Sequence, residues 1–188
     1  VLSISNAPSV ADRIMAAAAG CVVDFGAERV TLAEIARRAG VSRPTVYRRW
    51  PDSRSILAAL LTDRVIAALR EAPVRGQGRE ALVDRIVAVA ERLRGDELVM
   101  AMLRSELALV YITERLGTSQ QMLIDALADS LSAGQRDGSV RPGDPRRLAA
   151  MVLLMTQSTI QSGRIVRPIL DSNALGAELR YALNGYLS

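Results

Sequence analysis

Histidine and lysine are both absent from this chain of 188 residues, which also holds only one cysteine, one tryptophan and one phenylalanine. The missing histidine and the single cysteine each exclude something. Without imidazole there is no Ser-His-Asp catalysis, no Cys-His nucleophile and no zinc site built on histidine. A lone thiol, Cys21, rules out a disulfide framework within one chain and fits a reducing cytoplasm. It falls on an apolar helix face with Val10, Ile14, Ala17 and Phe25, a setting that suppresses the thiolate, so it reads as core rather than redox sensor. No apolar stretch reaches membrane-spanning length, and the N-terminus lacks the basic-then-apolar pattern of a secretory signal. The chain starts at Val1-Leu2 without an initiator methionine, which leaves room for native residues upstream. All 24 cationic side chains are arginine, an absence of lysine to which we attach no functional weight.

What is present is aliphatic and helical. Hydrophobic residues make up 49% of the chain with only 3% aromatic, strand-like alternation is hard to find, and apolar residues recur at helical spacing, so the fold class is all-α. The formal charge of +4 is concentrated. Residues 29–54 hold seven arginines against Glu34 and Asp52, a local balance of +5 that leaves the remainder at −1. A basic head on a nearly neutral body suits a module that neutralises phosphates joined to a second module. A membrane surface would use the same charge, but it also needs exposed large apolar residues, and the apolar faces here are small.

The segment Thr31 to Trp50 explains the concentration, because it reads as two short helices joined by a tight turn. Thr31 and Glu34 have the spacing of a capping box, in which each side chain satisfies the other's backbone N–H. Leu32, Ile35, Ala36 and Ala39 form one apolar face. Gly40 ends that helix, and Ser42 caps the next with Pro44 in its first turn. In the second helix Val46 and Trp50 face inward, whereas Thr45, Arg48 and Arg49 share the opposite side. That cationic face lacks carboxylates. An arginine fork fits the O6 and N7 acceptors of guanine or two phosphate oxygens, so the layout is that of a helix-turn-helix reading duplex DNA. A solvated basic face is the bland alternative for Arg48 and Arg49 alone. The caps and the turn glycine count against it.

Thr31, Ile35-Ala36, Ala39-Gly40-Val41-Ser42, Thr45, Tyr47 and Trp50-Pro51, then Ile56-Leu57, resemble the N-terminal domain of TetR-type transcriptional regulators. Ile14, Phe25 and Gly26 fit the preceding helix, and the resemblance covers roughly residues 9–60. One departure stands out. Ser53 occupies a position where the family usually carries a phosphate-contacting lysine, with Arg54 adjacent. DNA contacts are expected from Arg43, Pro44, Thr45, Tyr47, Arg48 and Arg49, with Thr31, Ser42 and Ser53 or Arg54 at phosphates.

Residues 1–54 are read as the DNA-binding domain and 55–188 as a helical domain for ligand binding and dimerisation. Helices are expected at about 8–25, 53–71, 79–94, 96–110, 115–136, 145–165 and 173–187, with loops at 26–30, 76–78 and 134–143. Asp144-Pro145 is a sound helix start. The run Leu148 to Met155 is apolar on nearly every side, and such a helix must be buried all round, which in a small chain points to a second subunit. The expected interface is Met151, Leu154, Leu175, Leu179, Leu183 and Tyr186, in the last two helices through which TetR-type proteins dimerise. A single monomeric core is the alternative. Methionine adapts its shape, so Met100, Leu103, Leu107, Tyr111, Met122, Met151 and Met155 are candidate walls for a small hydrophobic effector, although such a stripe is more often simply core. Arg104 and Glu106 fit the polar end of such a pocket or an outward ion pair.

The sequence therefore points to a homodimeric, cytoplasmic regulator that needs no cofactor, binds a palindromic operator in double-stranded DNA and leaves it when an effector binds. A ligand-independent regulator, whose C-terminal domain only dimerises or binds a protein, is the runner-up. A helical enzyme is the third reading, with Glu106 and Glu114 as a carboxylate-only site.

Overall fold

The computed structural model describes residues 8–105 and 118–188, whose regular structure is all helical, with no strand among them. Leu107, Tyr111, Glu106, Glu114 and the expected helical residues 106–110 and 115–117 lie outside the described residues. No helix among those described is long and apolar enough to cross a membrane.

Side-chain caps start the first elements. Helix α1 (Val10–Phe25) begins with a reciprocal box, in which Ser9 Oγ accepts from the Asp12 N–H at 3.1 Å and Asp12 Oδ2 from the Ser9 N–H at 2.9 Å. It ends at Gly26, and a single 3-10 turn (Ala27–Arg29) leads into α2 (Leu32–Ala39). Only half of the expected second box forms. Thr31 Oγ1 accepts from the Glu34 N–H at 3.2 Å, but the Glu34 carboxylate turns to Arg37 and Arg38 instead. Gly40 stops α2 with φ 63° and ψ 40°, in the left-handed region.

Helix α3 (Arg43–Tyr47) is shorter than the pattern suggests, with residues 48 and 49 in a turn. Trp50 nevertheless lands over Val46, because its N–H still donates to the Val46 carbonyl at 2.9 Å, and both side chains are buried. A second reciprocal box, Asp52 with Ser55, then opens α4 (Ser53–Glu71). Ile14, Cys21, Ile35, Val46 and Ile56 are at most 1% exposed, and this core binds α1–α3 to the first turns of α4. Each such side chain is worth about 1.5–3 kcal/mol of burial.

The core does not stop at residue 54. It runs along α4 through Leu60, Ala68 and Ala72, and takes in Val89 and Leu93 of α5 (Gly78–Gly95) and Val99 and Met102 of α6 (Glu97–Leu103). A second core joins α5 to α7 (Thr118–Arg136), α8 (Pro145–Ser162) and α9 (Ser172–Leu187) through Val83, Val87, Leu131, Val152, Leu183 and Leu187. Asp144 caps α8 as expected, accepting from the Arg146 N–H at 2.8 Å. Its apolar run, however, is buried on one side only. Leu148, Ala149, Val152 and Thr156 face inward, whereas Met151 and Leu154 are 42% and 61% exposed. The helix stops at Ser162, and turns fill the chain as far as α9.

Gly40 has open space where a Cβ would go, so only backbone conformation opposes a side chain there. Gly40→Ala should cost roughly 1–2 kcal/mol in urea unfolding. Gly40→Asn should cost less, since asparagine tolerates the left-handed region.

Candidate functional site

The turn after Gly40 carries a cluster of exposed side chains. Ser42, Arg43, Pro44, Tyr47, Arg48 and Arg49 are all exposed, and Tyr47 is a large ring left 49% uncovered. The side chains of Arg43 and Arg48 make no hydrogen bond or ion pair with a described residue. Arg49 lies over the Trp50 ring, 5.3 Å from its centroid, so the buried indole steadies one of the three guanidinium groups. Thr45 is half-buried and its hydroxyl is 2.7 Å from Ser42 Oγ, so these two residues cap α3 before they meet any partner. Thr31 likewise uses its hydroxyl as a cap. Ser53 is half-buried at the start of α4, and the neighbouring Arg54 is exposed without an ion pair to a described residue.

Two arginines counted in the local charge are spent inside the head. Arg37 donates through Nε and Nη2 to both Glu34 oxygens, at 2.9 and 2.7 Å. Arg38 donates through Nε to Glu34 at 2.9 Å and through Nη1 to Asp24 at 2.6 Å, and its guanidinium lies 4.7 Å from the centroid of the Phe25 ring. This chain ties α2 to the end of α1. Hydrogen bonds from Arg37 and then Arg38 pull the Glu34 carboxyl down from 4.5 to about 2. Asp24, just outside the basic window, is the partner that local sequence counting misses. Of the other five arginines, Arg29 is exposed in the 3-10 turn before α2, and Arg43, Arg48, Arg49 and Arg54 are exposed at and after the turn into α3. Cys21 is fully buried on α1, and loss of solvent pushes its thiol upward, as a core position does.

A cavity of about 340 Å³ lies between α4, α5, α6, α7 and α8. Leu61, Val65 and Leu69 of α4 form one wall, with Ile86, Leu127 and Leu153 opposite. Its size falls within the usual range for ligand sites. Of the expected effector residues that are described, Leu103 alone lines it. Met100 borders a different cleft, Met155 is half-buried against the second core, and Met122 and Met151 are exposed. None of the six methionines faces the cavity. The missed signal was the second stripe of α4. Ala58, Leu61, Thr62, Val65 and Leu69 repeat at helical spacing beside the core stripe of Ile56, Leu57, Leu60 and Ala68.

The expected dimer residues separate in the same way. Leu175, Leu179 and Leu183 are 9%, 4% and 0% exposed, buried in the protomer's own interior, and so have little or no surface to offer a partner. Tyr186 is half-buried, 4.7 Å from the Arg141 guanidinium. Met151 and Leu154 do face outward, and Tyr181 of α9, absent from the expected set, is 80% exposed.

Known proteins resemble this chain in sequence and in fold. The family model of bacterial regulatory proteins of the tetR family matches residues 14–60. An uncharacterized HTH-type transcriptional regulator of Mycobacterium bovis is 67% identical over 188 residues, covering all of both chains. The transcriptional repressor QsdR of Rhodococcus erythropolis has the same fold, with a TM-score of 0.67 at 18% identity over 94% of each chain. FadR of Bacillus subtilis, in complex with stearoyl-CoA, gives 0.64 at 20% identity over 94% of this chain and 98% of that one.

Because folding lowers the Glu34 pKa, the pairing adds stability above its ordinary 4.5 and loses it as the pH falls toward about 2. Glu34→Gln should therefore lower the urea midpoint at pH 7 and have a shrinking effect below pH ~4. An unchanged gap between variant and parent at low pH would contradict this assignment.

Proposed function

The chain belongs to the tetR family of bacterial regulatory proteins, and on that premise we propose that it is a homodimeric repressor which leaves a palindromic operator when a small hydrophobic effector enters the cavity beside α4. One observation carries this reading. The same helix that forms a wall of the cavity is locked into the DNA-reading head by Ile56, Leu57 and Leu60. Two heads must sit one DNA turn apart, about 34–36 Å, to engage both halves of a palindrome. An effector that fits one tilt of α4 better than another shifts that spacing, and equal affinity for both would change nothing. The binding of stearoyl-CoA by B. subtilis FadR supports an apolar effector.

Residues 1–54 serve as the DNA-binding domain and 55–188 as the effector and dimerisation domain. Arg43, Tyr47, Arg48 and Arg49 face DNA, with Pro44 and Thr45 beneath them. Arg54, Ser53, Ser42 and Thr31 lie at phosphates. The partner protomer covers Met151 and Leu154 of α8 and Tyr181 of α9, which together offer large exposed apolar side chains on adjacent helices.

With Arg43, Arg48, Arg49 and Arg54 of each head at DNA, a dimer neutralises about eight phosphates, so log K against log salt should fall with a slope near −7. Arg48→Ala should reduce that slope by about 2 per dimer if it meets phosphate, or relax sequence preference if it meets a base. Binding insensitive to salt overturns the DNA assignment.

Leu154→Arg and Tyr181→Arg place charges on exposed positions, so the protomer should stay folded while the dimer weakens by several kcal/mol. Sedimentation should show monomers at micromolar concentration with operator affinity reduced. Persisting dimers would move the interface elsewhere.

A further inference from the structure

We propose that the effector is an anionic amphiphile, whose apolar chain fills the cavity beside α4 while its charged head occupies an arginine-lined cleft across α6. The proposal rests on the effector reading above. Helix α6 is the partition. Val99 and Leu103 face the apolar cavity, whereas Glu97, Met100, Ala101 and Arg104 border a cleft of about 540 Å³. Ile160 of α8 borders both spaces. A bound molecule that passes this side chain reaches from one to the other.

The cleft is built for negative charge. Arg94, Arg104, Arg164 and Arg167 line it against Glu97 and Asp171, and one Asp171 oxygen is already used as the cap of α9, accepting from the Ala174 N–H at 2.8 Å. Arg104, Arg164 and Arg167 are exposed and make no ion pair with a described residue. Arg94 is the telling member. Its Nη2 donates to the Ser172 carbonyl at 3.4 Å, but its Nη1 is buried with no partner among the described residues. Burial also pushes its pKa down from the ordinary value. A buried donor on a cationic group is costly unless an acceptor reaches it, and an anionic oxygen in the cleft supplies one.

Neither space alone accounts for the pair. A wholly apolar molecule fills the aliphatic cavity and leaves Arg94 Nη1 without an acceptor, whereas a small inorganic anion satisfies the arginines and leaves the cavity empty. A single chain with a carboxylate or phosphate head does both. The cleft is also bordered by Val23 of α1, so an occupied head-group site touches the DNA-reading head directly, in addition to the contact made through α4.

Calorimetric titration of the full-length protein with decanoate, decyl phosphate, decan-1-ol and inorganic phosphate tests this, with DNA release followed in parallel by fluorescence anisotropy. At least one of the two anionic amphiphiles should bind about tenfold or more tightly than the alcohol, and the stronger of them identifies a carboxylate or a phosphate head. In the double variant Arg164→Gln/Arg167→Gln, both positions being exposed, that advantage should shrink severalfold with the alcohol unaffected. If the alcohol binds and releases DNA as well as both anions do, or the variant keeps their advantage, the head-group site is refuted and the apolar effector reading stands. Inorganic phosphate matching the amphiphiles refutes the linked site. Binding by none of the probes refutes the linked site and counts against the effector reading too.

Discussion

Everything above residue 53 depends on α4 being apolar along two stripes at once. Ile56, Leu57, Leu60 and Ala68 close one core, and Leu61, Val65 and Leu69 line the cavity on an adjoining face. A helix with a single apolar face serves one layer. Helix α4 serves two, and so it cannot shift toward or away from a ligand without disturbing the packing that holds the DNA-reading head. Protein interiors are close-packed, so such a disturbance resolves into alternative arrangements rather than a graded flexing. The connector is therefore an energetic link as well as a covalent one.

Arginine is used in two chemically different ways within that head. Arg37 and Arg38 form a charge-assisted network with Glu34 and Asp24, and Arg38 also lies across Phe25. Ion pairs this exposed contribute modestly to stability. Their geometric effect is larger, because Arg38, held on its own helix by Glu34, donates across to Asp24 and so fixes α2 against the end of α1. With α2 held in place, Gly40 and the Ser42 cap determine where α3 presents Arg43, Arg48 and Arg49. An unpaired guanidinium on a rigid support loses less freedom on meeting a base or a phosphate than one on a loose support.

Legibility in the sequence followed the range of the interactions. The caps at Ser9, Ser42 and Asp144 and the left-handed Gly40 are local events between residues at most four apart, and their residue types announce them. Helical periodicity likewise revealed the all-α class and the inward face of α2, whereas in α1 the buried face is Ile14, Ala18, Cys21 and Val22, and Val10 and Phe25, expected on it, are exposed at the two ends of the helix. The Glu34 carboxylate escaped because its competing partners, Arg37 and Arg38, lie on the same helix and outbid the Thr31 N–H. The cavity escaped for a different reason. Its walls come from five helices, and methionine content says how adaptable a side chain is without saying which way it faces. In α8 Met151 and Leu154 project outward, where a second subunit was expected to cover them, but in α9 Leu179 and Leu183, expected beside them, project inward.

That outward pair changes how the two protomers can communicate. If α8 and α9 present Met151, Leu154 and Tyr181 to a partner, the inner face of α8 still carries Leu153, Thr156 and Ile160 to the cavity wall, so one helix separates effector from subunit by a single layer. Occupancy of one cavity then bears on the interface through α8 and on the head through α4. Both helices are anchored by separate hydrophobic clusters, and α5, which contributes Val89 and Leu93 to one and Val83 and Val87 to the other, joins the two. A molecule that fits only one setting of α4 against α8 has the differential affinity that switching requires, and the free energy it supplies is delivered where the head spacing is set.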